Sequence, residues 1–441
     1  MRGGFTSNTR RHWQDRIMLL VLLVLALVFS LATLKPQEEG GEAAARRLLA
    51  MLEKEAAALP LLAVARGGGE DRLFLSALLD GTRARDFAQA ETLSGPPSRL
   101  REGLEDFAAR HPHAVVATVE GSAATVRSVC RVLPESAGLR VLVAPPRRWP
   151  TFLLRDNLLN VANQIAVIAI LAIGMTLVIL TAGIDLSVGS LIALSAVLCA
   201  GLIGRWGGQG AGGGAMLAAG ALAVLGCGAL GAFSGLMITR WRVPPFIATL
   251  GMMQVASGLA YLLSQGKPIY QLPASFTTLG RGADPLLGLP WAVLLMVALY
   301  ALAHLFMTRT VGGRHIYAVG GNPEAARLAG VPVGRVLMGV YVACGLLAGL
   351  GGVLMASQLK SGAPTYGGMY ELYVIAAVVV GGTSLSGGQG RMLGTLTGAF
   401  IIAVIQNGMN LTNVESYTQK VVLGLVILGA VLIERINGRR S

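Results

Sequence analysis

The chain has 441 residues, of which 54% are hydrophobic and only 13% charged, against roughly 25% charged residues in soluble domains, so its composition points to the membrane. Its formal net charge of +13 comes from 36 basic residues, only five of them lysine. They scatter through loops without a basic stripe or a stacking platform, which argues against nucleic acid as a partner and fits the basic cytoplasmic loops of a membrane protein.

Residues 1–16 form a basic N-terminal arm, and Ile17 to Leu34 is an apolar run of 18 residues, about the minimum for a spanning helix. The run is long for a signal peptide and lacks a small-x-small cleavage site. It is read as a retained anchor within a first segment, 1–35, with the N-terminus cytoplasmic.

Residues 36–150 differ in kind, with mixed charge and alternating elements. Helices are expected at Glu42–Leu59, Glu70–Thr82, Ser98–His111 and Ala123–Leu133. Strands are expected at Leu61–Arg66, Ala114–Val119 and Leu139–Ala144. Strands alternating with helices predict a small parallel α/β layer outside the cytoplasm. The rhythm resembles part of one lobe of a periplasmic sugar-binding protein. One lobe cannot close on a ligand by itself, so the expectation is a spacer or docking domain.

The third segment, 151–441, is the membrane domain. Apolar runs centre on Val161–Leu180, Leu191–Ile203, Met216–Ile238, Phe246–Leu263, Trp291–Met307, Val336–Ala356, Leu372–Val380, Leu393–Ile405 and Val421–Ile433. With the anchor they make about ten spans, several of them short enough to be re-entrant or broken. An even number of spans from a cytoplasmic N-terminus puts the C-terminus, Arg240, Arg242, the stretch 308–335 and the Arg435–Arg440 tail inside, as the positive-inside rule requires. The fold class expected is thus an all-α polytopic membrane protein carrying a small α/β extracytoplasmic insert.

The stretch 308–335 is the longest polar interruption of this domain, and it carries a compact helix signature. Asn322 is a good N-cap, Pro323 suits the first helical position, and Glu324 sits where the helix dipole favours a negative charge. Arg327 lies toward the other end and Gly330 can take the left-handed conformation that stops a helix. Ala325, Ala326 and Leu328 complete a helix about 10 Å long, expected to present Leu328 and the alanines as an apolar face to a cytoplasmic partner. Too short to be stable alone, it borrows stability from what it packs against.

Other polar residues fall within or beside spans. Asp185, in GMTLVILTAGIDLSVGS (174–190), is flanked by apolar runs. It reads either as a cap of the next helix, with Ser187, at the bilayer surface, or as a pathway group. Thr249 and Gln254 could face a pathway or bond neighbouring helices. Thr383 and Ser384 lie in a Gly-Gly-Thr-Ser break between two apolar runs. Asn407 and Asn410 follow inside the next run, where Gln406 and Asn410 share a helical face. No stretch matches a phosphate-binding loop. The four cysteines, Cys130, Cys199, Cys227 and Cys344, show no metal spacing. Neither a metal nor a cofactor is expected.

The stretches 174–190, PPFIATLGMM (244–253), YAVGGNPEAARLAGV (317–331) and IAAVVVGGTSLSGG (375–388) together resemble the permease family of ribose-type ABC sugar importers. They fall in family order and extend over roughly Asn157 to Glu434. Gly312 stands where that family usually has an aromatic residue, Ala182 where it has a glycine, and Tyr373 where it has an acid. The insert after the first span is not typical of the family.

The resemblance implies a permease subunit without catalysis of its own, a pathway for a monosaccharide such as ribose, xylose or galactose, and an ATPase-docking role for Glu324 to Gly330. It also implies a cytoplasmic ABC ATPase, an extracytoplasmic solute-binding protein and a second permease copy as partners in the bacterial inner membrane. The same fold could instead carry branched-chain amino acids or nucleosides. A proton-coupled secondary transporter centred on Asp185 would need charged partners within the spans. A membrane-anchored ligand sensor would not need nine further spans.

Overall fold

The computed structural model describes residues 4–37, 40–55, 59–85, 87, 89–132 and 138–438. The chain divides into two compact units. One comprises Met1–Ala32 with Phe152–Ser441, and the other comprises Thr33–Thr151.

Helix α1 (Gly4–Ala32) opens the membrane unit and begins well before its apolar run, taking in the basic arm. The α/β unit then runs β1 (Leu34–Gln37), α2 (Gly41–Glu55), β2 (Leu61–Ala65), α3 (Gly69–Arg83), β3 (Ala90–Ser94), α4 (Pro97–Arg110), β4 (His113–Thr118), α5 (Glu120–Val132), β5 (Gly138–Val143) and β6 (Arg147–Pro150). The ends of the expected helices near Leu59 and Leu133 run into positions outside the described residues.

Four strands form a parallel sheet in the order β3-β2-β4-β5. Successive side chains of a strand point to opposite faces, and β2 shows the consequence. Leu61, Ala63 and Ala65 pack with Leu48 and Leu52 of α2 and Phe74 and Leu78 of α3. Leu62 and Val64 pack on the other face with Leu100, Leu104 and Phe107 of α4 and Val126 of α5. Burial on both faces is why β2 reads as an unbroken apolar run.

Strand β3, Ala-Glu-Thr-Leu-Ser, escaped the sequence reading because it lies at the sheet edge and is largely polar. The pairing of β1 with β6 was equally unforeseen. They run antiparallel with Leu34 opposite Pro150, and the Thr151 N–H donates to Thr33 O at 3.0 Å. The two ends of the α/β unit are thereby clasped together.

The membrane unit continues with α6 (Arg155–Leu180), α7 (Val188–Arg205), α8 (Gly213–Arg240), α9 (Pro245–Ser264), α10 (Thr278–Arg281), α11 (Trp291–Arg309), α12 (Val311–Gly321), α13 (Pro323–Leu328), α14 (Val333–Leu359), α15 (Tyr370–Val380), α16 (Met392–Leu411) and α17 (Ser416–Gly438). Seven of these helices are long and apolar enough to cross a bilayer. Ile17–Ala32, Tyr370–Val380 and Ser416–Leu432 are shorter apolar helices. The chain is a polytopic helical membrane protein, as a solvent without hydrogen-bonding partners for the backbone demands.

Helix α6 is its centre, with every residue from Ile165 to Leu180 buried, the pattern of a helix apolar all round. Gly345 and Gly349 of α14 lie close on the α8 backbone, Gly398 of α16 on that of α15, and Gly394 on Gly381 just past the end of α15. These are the close helix approaches that small residues permit. Phe29 of α1 sits against Gly408 of α16, so α1 packs as part of the bundle.

Two interruptions shape the interior. Residues 181–187 break the chain between α6 and α7. Beyond α14, the segment 361–369 runs back along α7, with Gly362 against Ala196 and Ala200, and Gly367 against Gly189 and Ile192. Gly362 and Ile269 exchange backbone hydrogen bonds of 2.9 and 2.8 Å there. Helix α15 then starts inside the bundle. Its 11 residues cover about 16 Å at ~1.5 Å each, roughly half of the ~30 Å hydrocarbon thickness.

Candidate functional site: the α13 junction and the break before α7

Helix α13 is built as its sequence dictates. Asn322 Oδ1 accepts from the Glu324 and Ala325 N–H groups, each at 3.0 Å, and Pro323 occupies the first turn. Glu324 and Arg327 form an exposed ion pair at 3.5 Å. Gly330 has φ +83°, and the Val331 N–H reaches back to Ala326 O at 2.9 Å, which closes the helix in a Schellman-type stop.

The apolar face expected for a partner divides in two. Leu328 is 90% exposed and Ala325 is exposed too, whereas Ala326 is only 6% exposed. Ala326 is turned into its own chain, because a six-residue helix must bury one side to hold its place.

Helix α12, expected only as loop, supports α13. Its glycine-rich sequence has poor helix propensity, and packing overrides it. Thr310 caps its start by accepting the Gly313 N–H at 3.2 Å. At its end Gly320 lies against Leu180 O and within reach of Gly388 N. The Gly388 N–H itself donates to Leu180 O at 2.9 Å, and Tyr317 Oη donates to Gly390 O at 2.8 Å.

Three stretches far apart in sequence thus meet where α12 ends: the end of α6, the end of α12 and the turn 381–390. Thr383 and Ser384 belong to that turn. Thr383 Oγ1 is buried with no hydrogen-bond partner among the described residues, and the Ser384 N–H donates to Gln389 O at 2.8 Å. Ala182, in the same junction, has φ +59°, a conformation costing an L-residue roughly 1–2 kcal/mol. Ala182→Gly should therefore stabilise the protein by about 1 kcal/mol, read as a higher midpoint of thermal unfolding in detergent.

The break before α7 holds Asp185. It is 1% exposed, and its Oδ1 accepts from the Ser187 N–H at 2.9 Å and Ser187 Oγ at 2.6 Å. Ser187 holds the N-cap of α7 without a side-chain cap bond, and Asp185 is folded inward instead.

Tyr341 and Cys344 of α14 face Asp185. Both are buried, and Tyr341 Oη has no hydrogen-bond partner among the described residues. Thr249 joins this group from α9, donating to Ile184 O at 3.2 Å and Pro245 O at 3.0 Å.

The remaining candidates lie elsewhere. Gln254 is exposed on α9. Asn407 exchanges amide hydrogen bonds of 2.9 and 3.1 Å with Asn157, at the opposite end of α6. Asn410 accepts from Gln419 Nε2 at 2.9 Å.

Sequence reasoning missed Glu371, which stands over Gly189 in the first turn of α7. A Cβ on Gly189 would collide with Glu371 Oε2 and with Gly367 O. The signal was a carboxylate between Tyr370 and Tyr373 at the head of an apolar run, two residues before the position singled out as having lost its acid. Among the described residues no group of His, Cys, Asp or Glu could hold a metal ion.

An interior broken at two places, with a capped helix between α12 and α14, marks a polytopic membrane protein. The family model for the permease component of branched-chain amino acid transport systems matches residues 157–431, and the chain belongs to that family. It is similar to the ribose import permease protein of Escherichia coli, 44% identical over 289 residues covering 65% of this chain and 87% of that protein. The ribose import permease protein of Bacillus subtilis is 45% identical over 288 residues, covering 65% of this chain and 87% of that protein. The L-arabinose ABC transporter permease protein of Azospirillum brasilense is 36% identical over 294 residues, covering 66% and 84%. No solved structure matches the chain. Family membership makes the protein a multi-pass membrane subunit of an ABC importer, a transport component that works with a separate ATPase and a solute-binding protein.

Proposed function

We propose that the chain is the membrane-spanning permease subunit of an ABC importer for monosaccharides, working as a dimer of permeases with two copies of a cytoplasmic ATPase. The observation that carries this reading is the extent of likeness to the ribose permeases, 44% identity over 289 residues. Further relatives are named for L-arabinose and D-allose transport, which favours sugars over the branched-chain amino acids of the family description.

In this reading α13 docks in the ATPase, with Leu328, Ala325, Glu324 and Arg327 outward. Its movement reaches the spans through the α12 junction, shifting the pathway between outward and inward states. Both termini and residues 308–335 lie in the cytoplasm, as loop arginines favour. The α/β unit lies outside and serves docking or spacing.

Reconstitution in liposomes with the cognate ATPase and binding protein tests this directly. ATP-dependent accumulation of radiolabelled ribose or a related sugar is the expected result. Uptake driven by a proton gradient without ATP, or uptake of leucine in place of any sugar, would overturn it.

A further inference from the structure

We propose that Glu371, with the tyrosine pair Tyr370 and Tyr373, is a sugar-contacting element of the translocation pathway, set at mid-membrane depth where the half-span α15 begins. The inference rests on the sugar-importer reading above and assigns to it a place and a chemistry.

Depth comes first. The segment 361–369 passes down α7 from Ala200 to Gly189 before α15 starts, and α15 ends at the turn 381–390 against Leu180 at the end of α6, so Glu371 stands about 15 Å inside the bundle from that junction at ~1.5 Å per residue. Irregular backbone at such depth is tolerated only where protein buries it or where it lines a cavity. Two breaks adjoin here, residues 181–187 before α7 and residues 361–369 before α15. Transport sites built from interrupted helices at the midplane have this architecture.

The chemistry is equally specific. Glu371 is half-buried, and among the described residues no basic side chain pairs with it. A carboxylate within the membrane is costly without a polar partner and by default marks a functional position. Gly189 supplies the room for it, since any side chain there would displace the carboxylate. In the adjoining break before α7, Tyr341 Oη lies beside Gly183, buried and with no hydrogen-bond partner among the described residues.

Tyr370 and Tyr373 stand edge to face with ring centroids 6.2 Å apart, offering aromatic surface beside the acid. A sugar meets both demands. Adjacent hydroxyls can donate to the two carboxylate oxygens, and its C–H face can lie on a ring. Hydrogen bonds to a charged group are the stronger kind, and a site built to bond a hydroxyl rejects an analogue lacking it more sharply than an apolar pocket rejects a shape.

The test is ATP-driven uptake of ribose, arabinose and 2-deoxyribose by the reconstituted importer carrying Glu371→Gln, Glu371→Asp or Tyr373→Ala. Thermal unfolding is recorded for each variant. Leu372→Ala, at an exposed neighbour on the same helix, is the control and should behave as wild type.

Glu371→Gln should lower uptake of the preferred sugar at least tenfold, and the ratio between sugars differing in one hydroxyl should shift in all three variants. A purely structural role would lower every sugar alike. Unchanged ratios in the folded variants would therefore overturn the inference while leaving the importer reading intact. Absence of uptake of any sugar by the wild type would overturn both. Should Glu371→Gln fail to fold, the ratio measured for Glu371→Asp and Tyr373→Ala decides.

Discussion

Gly320→Val should be among the most damaging single substitutions in the membrane unit. A Cβ at this position would fall inside contact distance of Leu180 O and 2.6 Å from Gly388 N. Both are backbone atoms held in place, the first at the end of α6 and the second by its own hydrogen bond to Leu180 O. Overpacking in a tight interior costs ~1–3 kcal/mol, and backbone neighbours cannot rotate away as a flexible side chain would, so a loss of about 3 kcal/mol is expected.

The neighbouring Gly321 has nothing within 4 Å of its Cβ position, and Gly321→Ala should cost little. The measurement is thermal unfolding of the two variants in the same detergent, followed by co-purification of the ATPase. Equal midpoints for both would refute the close packing at the junction.

The second large effect concerns Leu328. At 90% exposed, it contributes almost nothing to the fold of its own chain, so Leu328→Glu should insert and unfold like wild type. If α13 docks in a cleft of the ATPase, the leucine is its central apolar contact. Truncating such a contact commonly costs ~2 kcal/mol or more, about a 30-fold weaker association.

Ala326, two residues earlier, should behave in the opposite way. It is buried in its own chain, so Ala326→Glu should damage folding before docking. The pair separates partner contact from internal support. Co-purification with the ATPase and substrate-stimulated ATP hydrolysis are the readouts. Normal values for Leu328→Glu would end the docking proposal for α13.

Much of this protein could be read directly from its residues, and the reasons are physical. Spans announce themselves because a bilayer admits little but apolar helices, and the ten apolar runs correspond to helices in the structure. The caps of α13 were legible because Asn322, Pro323 and Gly330 each act within a few residues of themselves.

What stayed hidden depends on distant neighbours. The inward face of Ala326 follows from packing beneath α13, which no local spacing encodes. Helix α12 forms against its own propensity, since Gly320 and Gly321 look like loop residues until Leu180 and Gly388 are beside them. Asp185 lies in the break between α6 and α7, and its burial depends on Tyr341 and Cys344, more than 150 residues onward. Glu371 stayed out of sight because its importance comes from Gly189, which belongs to another helix.

The clasp between β1 and β6 carries a consequence for how such a chain could arise and be rebuilt. Paired strands hold opposite residues about 5 Å apart, so the α/β unit enters and leaves at nearly a single point. A module with its two ends side by side can be spliced into a loop, or exchanged for another, without stretching the anchors on either side. The position between Gln37 and Arg147 is thus a natural socket, where a fluorescent or affinity-tagged domain with adjacent termini could be grafted in place of the native one.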